Sequence, residues 1–233
     1  DRRVHDLVLI AFCRVMIQLS NAAFNHQSMS FKNSGNGNDS PVQLALPQTD
    51  DFLVKFLDEF NLVLLGARDN PTASATIRQG DSRTPEKFAS GEFDVLITSP
   101  PYPNRISYVR ELRPYMYWLG YLSQASQAGD LDWQAVGGTW GSATSRLMDW
   151  YRTESGFYKE YFEKLLNGIE QAGEKSGQLL SRYVARYFED MWQHLRNVQS
   201  IMSAGASVHY VVGNASFYGV LVPVERLYAD MLK

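Results

Sequence analysis

The chain has 233 residues, of which 45% are hydrophobic and 20% are charged, a composition typical of a folded globular protein and not of a disordered one. Its net charge of −3 excludes a surface coated uniformly for nucleic acid, although a local basic face remains compatible with it. The single cysteine, Cys13, excludes an internal disulfide and a zinc site built from cysteines, and it favours a cytoplasmic location. No apolar run approaches the ~20 residues that a membrane-spanning helix needs.

Two helical patterns occupy the N-terminal part of the chain. Apolar residues recur at helical spacing over residues 1–24 and again over residues 50–67, and each pattern predicts an amphipathic helix. The stretch NSGNGNDSP (33–41) lies between them and is a loop by composition.

Two short strands are predicted next. Residues 75–81 (ATIRQGD) predict a strand that ends in Gly80 and Asp81. Residues 93–99 (FDVLITS) predict a second strand, which is apolar without alternation. Such a pattern is expected of a strand that is buried on both faces of a parallel sheet.

Helices dominate the second half of the chain. Residues 105–123 form an aromatic-rich helical pattern, and residues 124–150 are a polar excursion with the glycine-rich stretch VGGTWGSATS in its middle. Residues 154–175 and 178–203 then predict two strong amphipathic helices.

The C-terminal part returns to a strand, because SVHYVVGN (207–214) is a compact apolar run. A loop and a last helix follow it. Strands that alternate with helices indicate an α/β fold with a parallel sheet. The predicted segments are an N-terminal helical segment (1–67), core strands (68–123), a helical insertion that contacts DNA (124–203), and a final core strand with its helix (204–233).

The end of the second predicted strand has unusual chemistry. It runs into Ser99, Pro100, Pro101 and Tyr102. Ligands of open parallel sheets bind beyond the carboxyl ends of the strands. Two prolines fix φ near −65° and remove two backbone donors, so the carbonyls before them are presented rigidly. Carbonyls that accept from an exocyclic amine, next to an aromatic ring on which a base can stack, are expected of a binding site (here called the base socket) for a nucleobase flipped out of the DNA helix.

The sequence Thr-Ser-Pro-Pro-Tyr resembles motif IV of the bacterial site-specific DNA amino-methyltransferases. That resemblance implies a class I methyltransferase-like parallel sheet with flanking helices. It also implies transfer of a methyl group from S-adenosylmethionine to the exocyclic amine of a flipped base, with Ser99, Pro100, Pro101 and Tyr102 as catalytic residues. The serine form favours cytosine N4 as the acceptor, and adenine N6 is the alternative. A turn that merely ends a strand is the structural alternative.

The resemblance extends to cofactor contacts. Gly80 and Asp81 match the family's strand-end acid, which accepts from the adenine amino group of S-adenosylmethionine, and Thr98 is assigned to the same cofactor. An acid that caps its own turn, or that is simply solvated, is the alternative interpretation of Asp81. The run VVGN (211–214) resembles the strand whose tip walls the base pocket, and a plain buried strand and turn is equally compatible with it.

Double-stranded DNA is the partner that the resemblance implies. Arg105, Arg110 and Arg113 follow the base socket, and phosphates are their natural partners. Arginines on a solvated helix face are the alternative. The stretch VGGTWGSATS lacks a phosphate-loop lysine and is predicted to be a mobile loop near DNA. The four histidines are scattered without metal-ligand spacing, and no metal or membrane contact is predicted.

Two features of the family are absent from the pattern. The glycine-rich turn that follows its first strand is missing, and so is the acid that holds the cofactor ribose. The fold is therefore expected to be incomplete in this chain, with the missing cofactor loop supplied by an adjoining segment or a partner chain. Two other functions stay open, namely an RNA or protein amino-methyltransferase and a non-catalytic DNA-binding subunit with a methylase-like fold.

Overall fold

The computed structural model describes residues 1–20, 22–23, 30–31, 49–84, 90–138, 142–154 and 156–233, with the backbone alone at 22–23, 30–31, 49–50 and 142–143. The protein is mixed α/β and divides into two compact units. The first consists of Asp1–Ile77 and Arg110–Gln124, and the second of Arg78–Val109 and Ala125–Lys233. The loop predicted at 33–41 lies outside the described residues.

The first unit is built on two long helices, and both confirm the sequence prediction. Its elements are α1 (Arg2–Leu19), the paired strands β1 (Ala22–Ala23) and β2 (Ser30–Phe31), and α2 (Thr49–Arg68). Asp1 caps α1 by accepting from the amide of Arg3. Arg14 and Gln18 of α1 both donate to the buried carboxylate of Glu59 on α2. These hydrogen bonds compensate for the burial of the Glu59 carboxylate, which would destabilise the pair of helices if it had no partner.

Helix α3 follows the proline turn and spans the boundary between the units. The second unit contains most of the remaining structure. From residue 93 onwards, and counting α3, the elements in chain order are β3 (Phe93–Thr98), α3 (Tyr108–Trp118), α4 (Ala125–Gln134), α5 (Ser142–Met148), α6 (Glu160–Ala172), a 3₁₀ turn (Glu174–Ser176), α7 (Gly177–Ile201), β4 (Met202–Tyr210), β5 (Ala215–Phe217), β6 (Val220–Val222) and α8 (Val224–Met231).

Helix α7 forms the centre of the second unit's core. Its sequence places large apolar residues on more than one face, so neighbouring elements cover it on several sides. Phe188 packs edge-to-face against Phe162 of α6 and Tyr228 of α8. Aromatic pairs of this kind add about 0.5–1.5 kcal/mol beyond their buried area. The two predicted helices over 154–175 and 178–203 are confirmed, with α6 beginning later than expected.

The region predicted as a polar excursion contains two helices, α4 and α5. The glycine-rich stretch within it was predicted to be a mobile loop; its described part instead contains two buried glycines and the start of α5. Gly137 and Gly138 are buried, and Gly137 has a φ of +74°. A Cβ at Gly138 would lie 1.6 Å from the backbone oxygen of Asp132. The chain needs glycine here because the turn is pressed against α4.

Strands β3 and β4 form a parallel pair, as the sequence predicted. Leu96 lies opposite Val208, and Thr98 lies opposite Tyr210. Paired residues share a face of the sheet, and this face lies towards α7, because His194 contacts the Tyr210 ring. The opposite face carries Val95 and Ile97.

The prediction that β3 is buried on both faces is wrong for this chain. Val95 is 57% exposed and Ile97 is 74% exposed. The sheet has two strands within the described residues, and the exposure of Val95 and Ile97 shows that no described helix covers this face. The apolar run of β3 therefore has a solvent-facing apolar stripe.

Two other strand predictions need correction. Residues 75–81 form no strand and are exposed. The predicted strand over 207–214 is displaced, since β4 starts at Met202 and ends at Tyr210. The predicted loop after it instead contains the hairpin β5–β6, whose two-residue turn has positive φ at both Tyr218 (51°) and Gly219 (81°), the conformation of a type I′ turn.

No helix in the described part of the chain is long and apolar enough to cross a bilayer.

Candidate functional site

The Ser-Pro-Pro-Tyr turn lies at the carboxyl end of β3, beside the end of β4. The amide of Val211 donates to the carbonyl of Thr98 at 2.9 Å. The Ser99 hydroxyl lies 3.4 Å from the carbonyl of Val211 and 3.2 Å from the hydroxyl of Tyr102. Because a carbonyl only accepts, Ser99 donates to Val211 and accepts from Tyr102. The second lone pair of the Ser99 oxygen is then left for another donor.

Residues 211–214 flank the turn from the neighbouring strand. A Cβ at Gly213 would lie 4.0 Å from Cε1 of Tyr102, so the tyrosine ring is adjacent to the backbone there. Asn214 accepts from the amide of Val224 at 2.7 Å, which fixes this loop to the start of α8. The structure therefore brings together the two segments that the sequence assigned to the base socket.

Two tyrosines of α7 hold the turn through hydrogen bonds to its backbone. The Tyr187 hydroxyl donates to the carbonyl of Pro101 at 2.7 Å, and the amide of Arg105 donates to the Tyr183 hydroxyl at 3.0 Å. Both tyrosines lie in the amphipathic helix predicted over 178–203, and the sequence analysis gave them no role at the site. The available signal was the tyrosine itself, since a buried Tyr hydroxyl usually finds a hydrogen-bond partner.

Asp81 is engaged by a neighbour that the sequence analysis did not single out. Arg83 donates to both carboxylate oxygens of Asp81, with Nη2 2.7 Å from Oδ2 and Nε 2.9 Å from Oδ1. The same guanidinium donates to Asp190 at 2.9 Å and to the carbonyl of Gln134 at 2.6 Å. The hydrogen bond from Arg83 lowers the pKa of the Asp81 carboxyl, whereas burial raises the pKa of Asp190.

A cavity of about 250 Å³ opens beside Asp81. Apolar side chains of β3 and α7 and polar groups of the 78–82 segment share its wall. Its lining consists of Arg78, Gly80, Asp81, Ser82, Leu96, His194, Asn197, Val198 and Ile201. Thr98 is not part of this lining and belongs instead to the end of β3. The structure thus places two of the three predicted cofactor residues, Gly80 and Asp81, at one cavity.

Helix α7 holds the segment that carries Asp81. Asn197 donates to the carbonyls of Ser82 at 3.0 Å and Thr84 at 2.9 Å. His194 lies with Nδ1 3.3 Å from the Ser82 carbonyl and Nε2 2.9 Å from the Tyr210 hydroxyl. Since the carbonyl only accepts, Nδ1 carries the proton and Nε2 accepts from Tyr210. Burial lowers the pKa of His194, which favours this neutral form.

The three predicted DNA-contacting arginines are divided between the two units. Arg105 belongs to the second unit, whereas Arg110 and Arg113 lie on the part of α3 that belongs to the first. All three are half-buried, so they differ from freely solvated arginines on a helix face. Arg105 has a φ of 62°, a left-handed conformation that is costly for a residue with a Cβ.

No group of three or more His, Cys, Asp or Glu side chains within the described ranges is arranged to hold a metal ion. Comparison of the chain with protein-family models, with curated proteins and with solved structures finds no match.

Proposed function

We propose that this chain carries the base-binding part of a DNA amino-methyltransferase that uses S-adenosylmethionine, with cytosine N4 as the acceptor. The observation that carries the proposal is the position of the Ser99–Tyr102 turn. It lies at the carboxyl end of a parallel strand, with the Tyr102 ring against Gly213 at the tip of the next strand. Ligand sites of α/β sheets form at this edge.

The parts of the turn have complementary roles towards a flipped base. The Tyr102 ring supplies a face on which the base stacks, an interaction worth about 1–3 kcal/mol. The Ser99 hydroxyl and the Pro100 carbonyl accept hydrogen bonds from the exocyclic amine. These contacts hold the amine in one orientation, so its lone pair is directed at the methyl donor. Positioning of this kind provides the rate without a covalent nucleophile.

The described residues fit one end of S-adenosylmethionine and not the whole molecule. The cavity beside Asp81 combines apolar walls from Leu96 and Val198 with carboxylate and amide oxygens of Asp81 and Asn197, which suits an amino-bearing ring. Its volume of about 250 Å³ is below the ~300–1,000 Å³ of sites that enclose a drug-sized ligand. When bound, S-adenosylmethionine supplies the electrophilic methyl group. In this chain the residues of the turn only orient the acceptor.

A further segment is needed to complete the site, and the exposed face of the sheet supports this part of the proposal. Val95 and Ile97 of β3 are each more than half exposed, and so is Val211, which directly follows β4. An apolar sheet face and an unpaired edge are sites at which another polypeptide segment adds. We therefore infer that the glycine-rich cofactor loop comes from an adjoining segment or a partner chain that docks on this sheet.

The ion pair of Asp81 favours a second candidate function. Arg83 occupies both carboxylate oxygens, so Asp81 serves as a structural anchor of the 78–84 segment. A non-catalytic DNA-binding subunit with a methylase-like fold would need this anchor and would have no need of the cofactor. The two functions differ in one measurement, since only the methyltransferase modifies DNA.

The test is mass spectrometry of nucleosides from DNA modified by the chain together with its adjoining segment. The expected product is N4-methylcytosine, and Tyr102→Ala in the same polypeptide is the control that should strongly lower its yield. Methyladenine alone would refute the assignment to cytosine and keep the reaction class. Unmodified DNA that the protein nevertheless binds would favour the non-catalytic subunit.

A further inference from the structure

We propose that Tyr187 and Tyr183 are positioning residues that hold the Pro-Pro-Tyr turn in the conformation that receives the base. The inference rests on the proposed function of that turn. It assigns a role to two core tyrosines that belong to no part of the sequence motif. Their contribution is made by the hydroxyl groups, separately from the packing of their rings.

The geometry places the two hydroxyls as a pair of anchors. Tyr183 and Tyr187 are four residues apart on α7 and therefore project from the same face on consecutive turns. They are 2% and 1% exposed, so their hydroxyls are shielded from water. Tyr187 donates to the carbonyl of Pro101, and Tyr183 accepts from the amide of Arg105. The anchors thus bracket Tyr102 on both sides.

The direction of the bonds makes the anchor at Pro101 cooperative. The Tyr187 hydroxyl gives its proton to the Pro101 carbonyl and therefore accepts from the Tyr228 hydroxyl, 2.8 Å away. Tyr228 lies on α8, next to the loop whose Gly213 flanks Tyr102. One chain of hydroxyls consequently ties the turn to α7 and to α8. Two hydrogen bonds strengthen each other when one hydroxyl donates in the first bond and accepts in the second.

The anchor at Arg105 offsets backbone strain. Arg105 has a φ of 62°, and a non-glycine residue in a sparsely populated region persists only where its surroundings hold it. Its amide donates to Tyr183, and the next residue, Ile106, donates to the Asn104 side chain at 3.3 Å. Without the Tyr183 hydroxyl, the turn after Tyr102 is expected to relax from this conformation.

Two Tyr→Phe variants test the role of the hydroxyls, because phenylalanine keeps the ring in the core. Tyr161→Phe is the matched control, since the Tyr161 hydroxyl donates to Asp230 of α8 and not to the turn. The first readout is amide hydrogen exchange of the chain alone. Tyr183→Phe and Tyr187→Phe should each accelerate exchange over residues 102–106 by roughly tenfold, the effect of losing one buried hydrogen bond. Tyr161→Phe should leave that exchange unchanged.

The second readout is the fluorescence of a single-stranded oligonucleotide that carries one 2-aminopurine. Stacking on Tyr102 should quench it, and the quench should disappear in Tyr102→Ala. Tyr187→Phe should weaken the Tyr102-dependent binding by about three- to tenfold, measured at a temperature at which its thermal melt shows that it is folded.

Wild-type quenching that Tyr187→Phe leaves unchanged, or unaltered exchange in both Tyr→Phe variants, overturns the inference. If the wild-type chain shows no Tyr102-dependent quench, the proposed function has failed for this chain. The exchange experiment then decides by itself whether the hydroxyls hold the turn, so the two failures are distinguishable.

Discussion

Tyr102 combines two kinds of contact at the scale of single residues. Its hydroxyl bonds Ser99 while its ring lies beside Gly213. The hydroxyl bond is exposed and therefore contributes little to stability. The ring face is what a base requires, so the two contributions separate by substitution.

We expect Tyr102→Ala to lower methylation by roughly 5- to 150-fold, the equivalent of ~1–3 kcal/mol of lost stacking. Tyr102→Phe keeps the ring and should be nearly neutral. Turnover on duplex DNA, measured alongside a thermal melt, checks both variants. Unchanged turnover of Tyr102→Ala with a normal melt contradicts the assignment of the base socket.

His194 makes the stability of the second unit depend on pH. Burial lowers its pKa below the ordinary histidine value of 6.5, so the unfolded chain binds this proton more readily than the folded chain. Stability from this group is therefore complete above about pH 6.5 and decreases as the pH falls through that value. His194 contacts the Ser82 carbonyl and the Tyr210 hydroxyl, and the charged groups that line the same cavity are Arg78 and Asp81. The pKa of Asp81 is lowered, so Asp81 stays charged in this window.

His194→Gln should flatten the decline of the unfolding free energy between about pH 7 and pH 5. His209→Gln, at an exposed histidine of β4, is the control and should keep the wild-type slope. Urea unfolding at the two pH values measures both. Parallel slopes for His194→Gln and the wild type would show that His194 does not cause the dependence.

At the scale of elements, the sheet contributes unevenly to the stability of the isolated chain. Ile97 of β3 is 74% exposed, whereas Ile169 of α6 is 0% exposed. Truncating a buried side chain loses hydrophobic burial and leaves a cavity, and neither loss arises at an exposed site. Ile169→Ala should therefore lower the free energy of unfolding by about 2–5 kcal/mol. Ile97→Ala should change stability by about 0.5 kcal/mol or less.

Denaturant unfolding of the two isoleucine variants tests this difference. The same Ile97→Ala variant should bind the adjoining segment more weakly if that segment docks on the sheet. A loss of stability at Ile97 equal to that at Ile169 would show that the face of β3 is already covered in solution.

At the scale of the whole molecule, the proposed cofactor site is incomplete within the described residues. We expect residues 1–233 alone to bind S-adenosylmethionine weakly or not at all. Asp81 is present, but it is paired with Arg83, and no strand is followed, within the described residues, by a turn that contains more than one glycine. About three missing hydrogen bonds of ~0.5–1.5 kcal/mol each would weaken binding by roughly ten- to a thousand-fold.

Calorimetry on this chain, with and without the adjoining segment, measures the effect. Micromolar binding by residues 1–233 alone would contradict the expectation. An Arg83→Gln variant separates the two causes, because freeing Asp81 should improve binding only if the ion pair is what blocks it.

The sequence alone was sufficient where local pattern decides the structure. Helical periodicity identified α1, α2, α6 and α7, and the proline pair located the turn at the end of β3. An apolar run also identified β3 itself. These features depend on the spacing of neighbouring residues, which a sequence displays directly.

Tertiary structure alone decided which groups meet. The strand predicted over 75–81 did not form, because a strand requires a neighbour with which to pair, and local propensity does not supply one. The fold alone brings together residues far apart in the chain, such as Arg83 with Asp190, Tyr183 with Arg105 and Tyr187 with Pro101. The exposure of Ile97 has the same origin, since burial depends on whether another layer covers the sheet, and nothing in the apolar run encodes that layer.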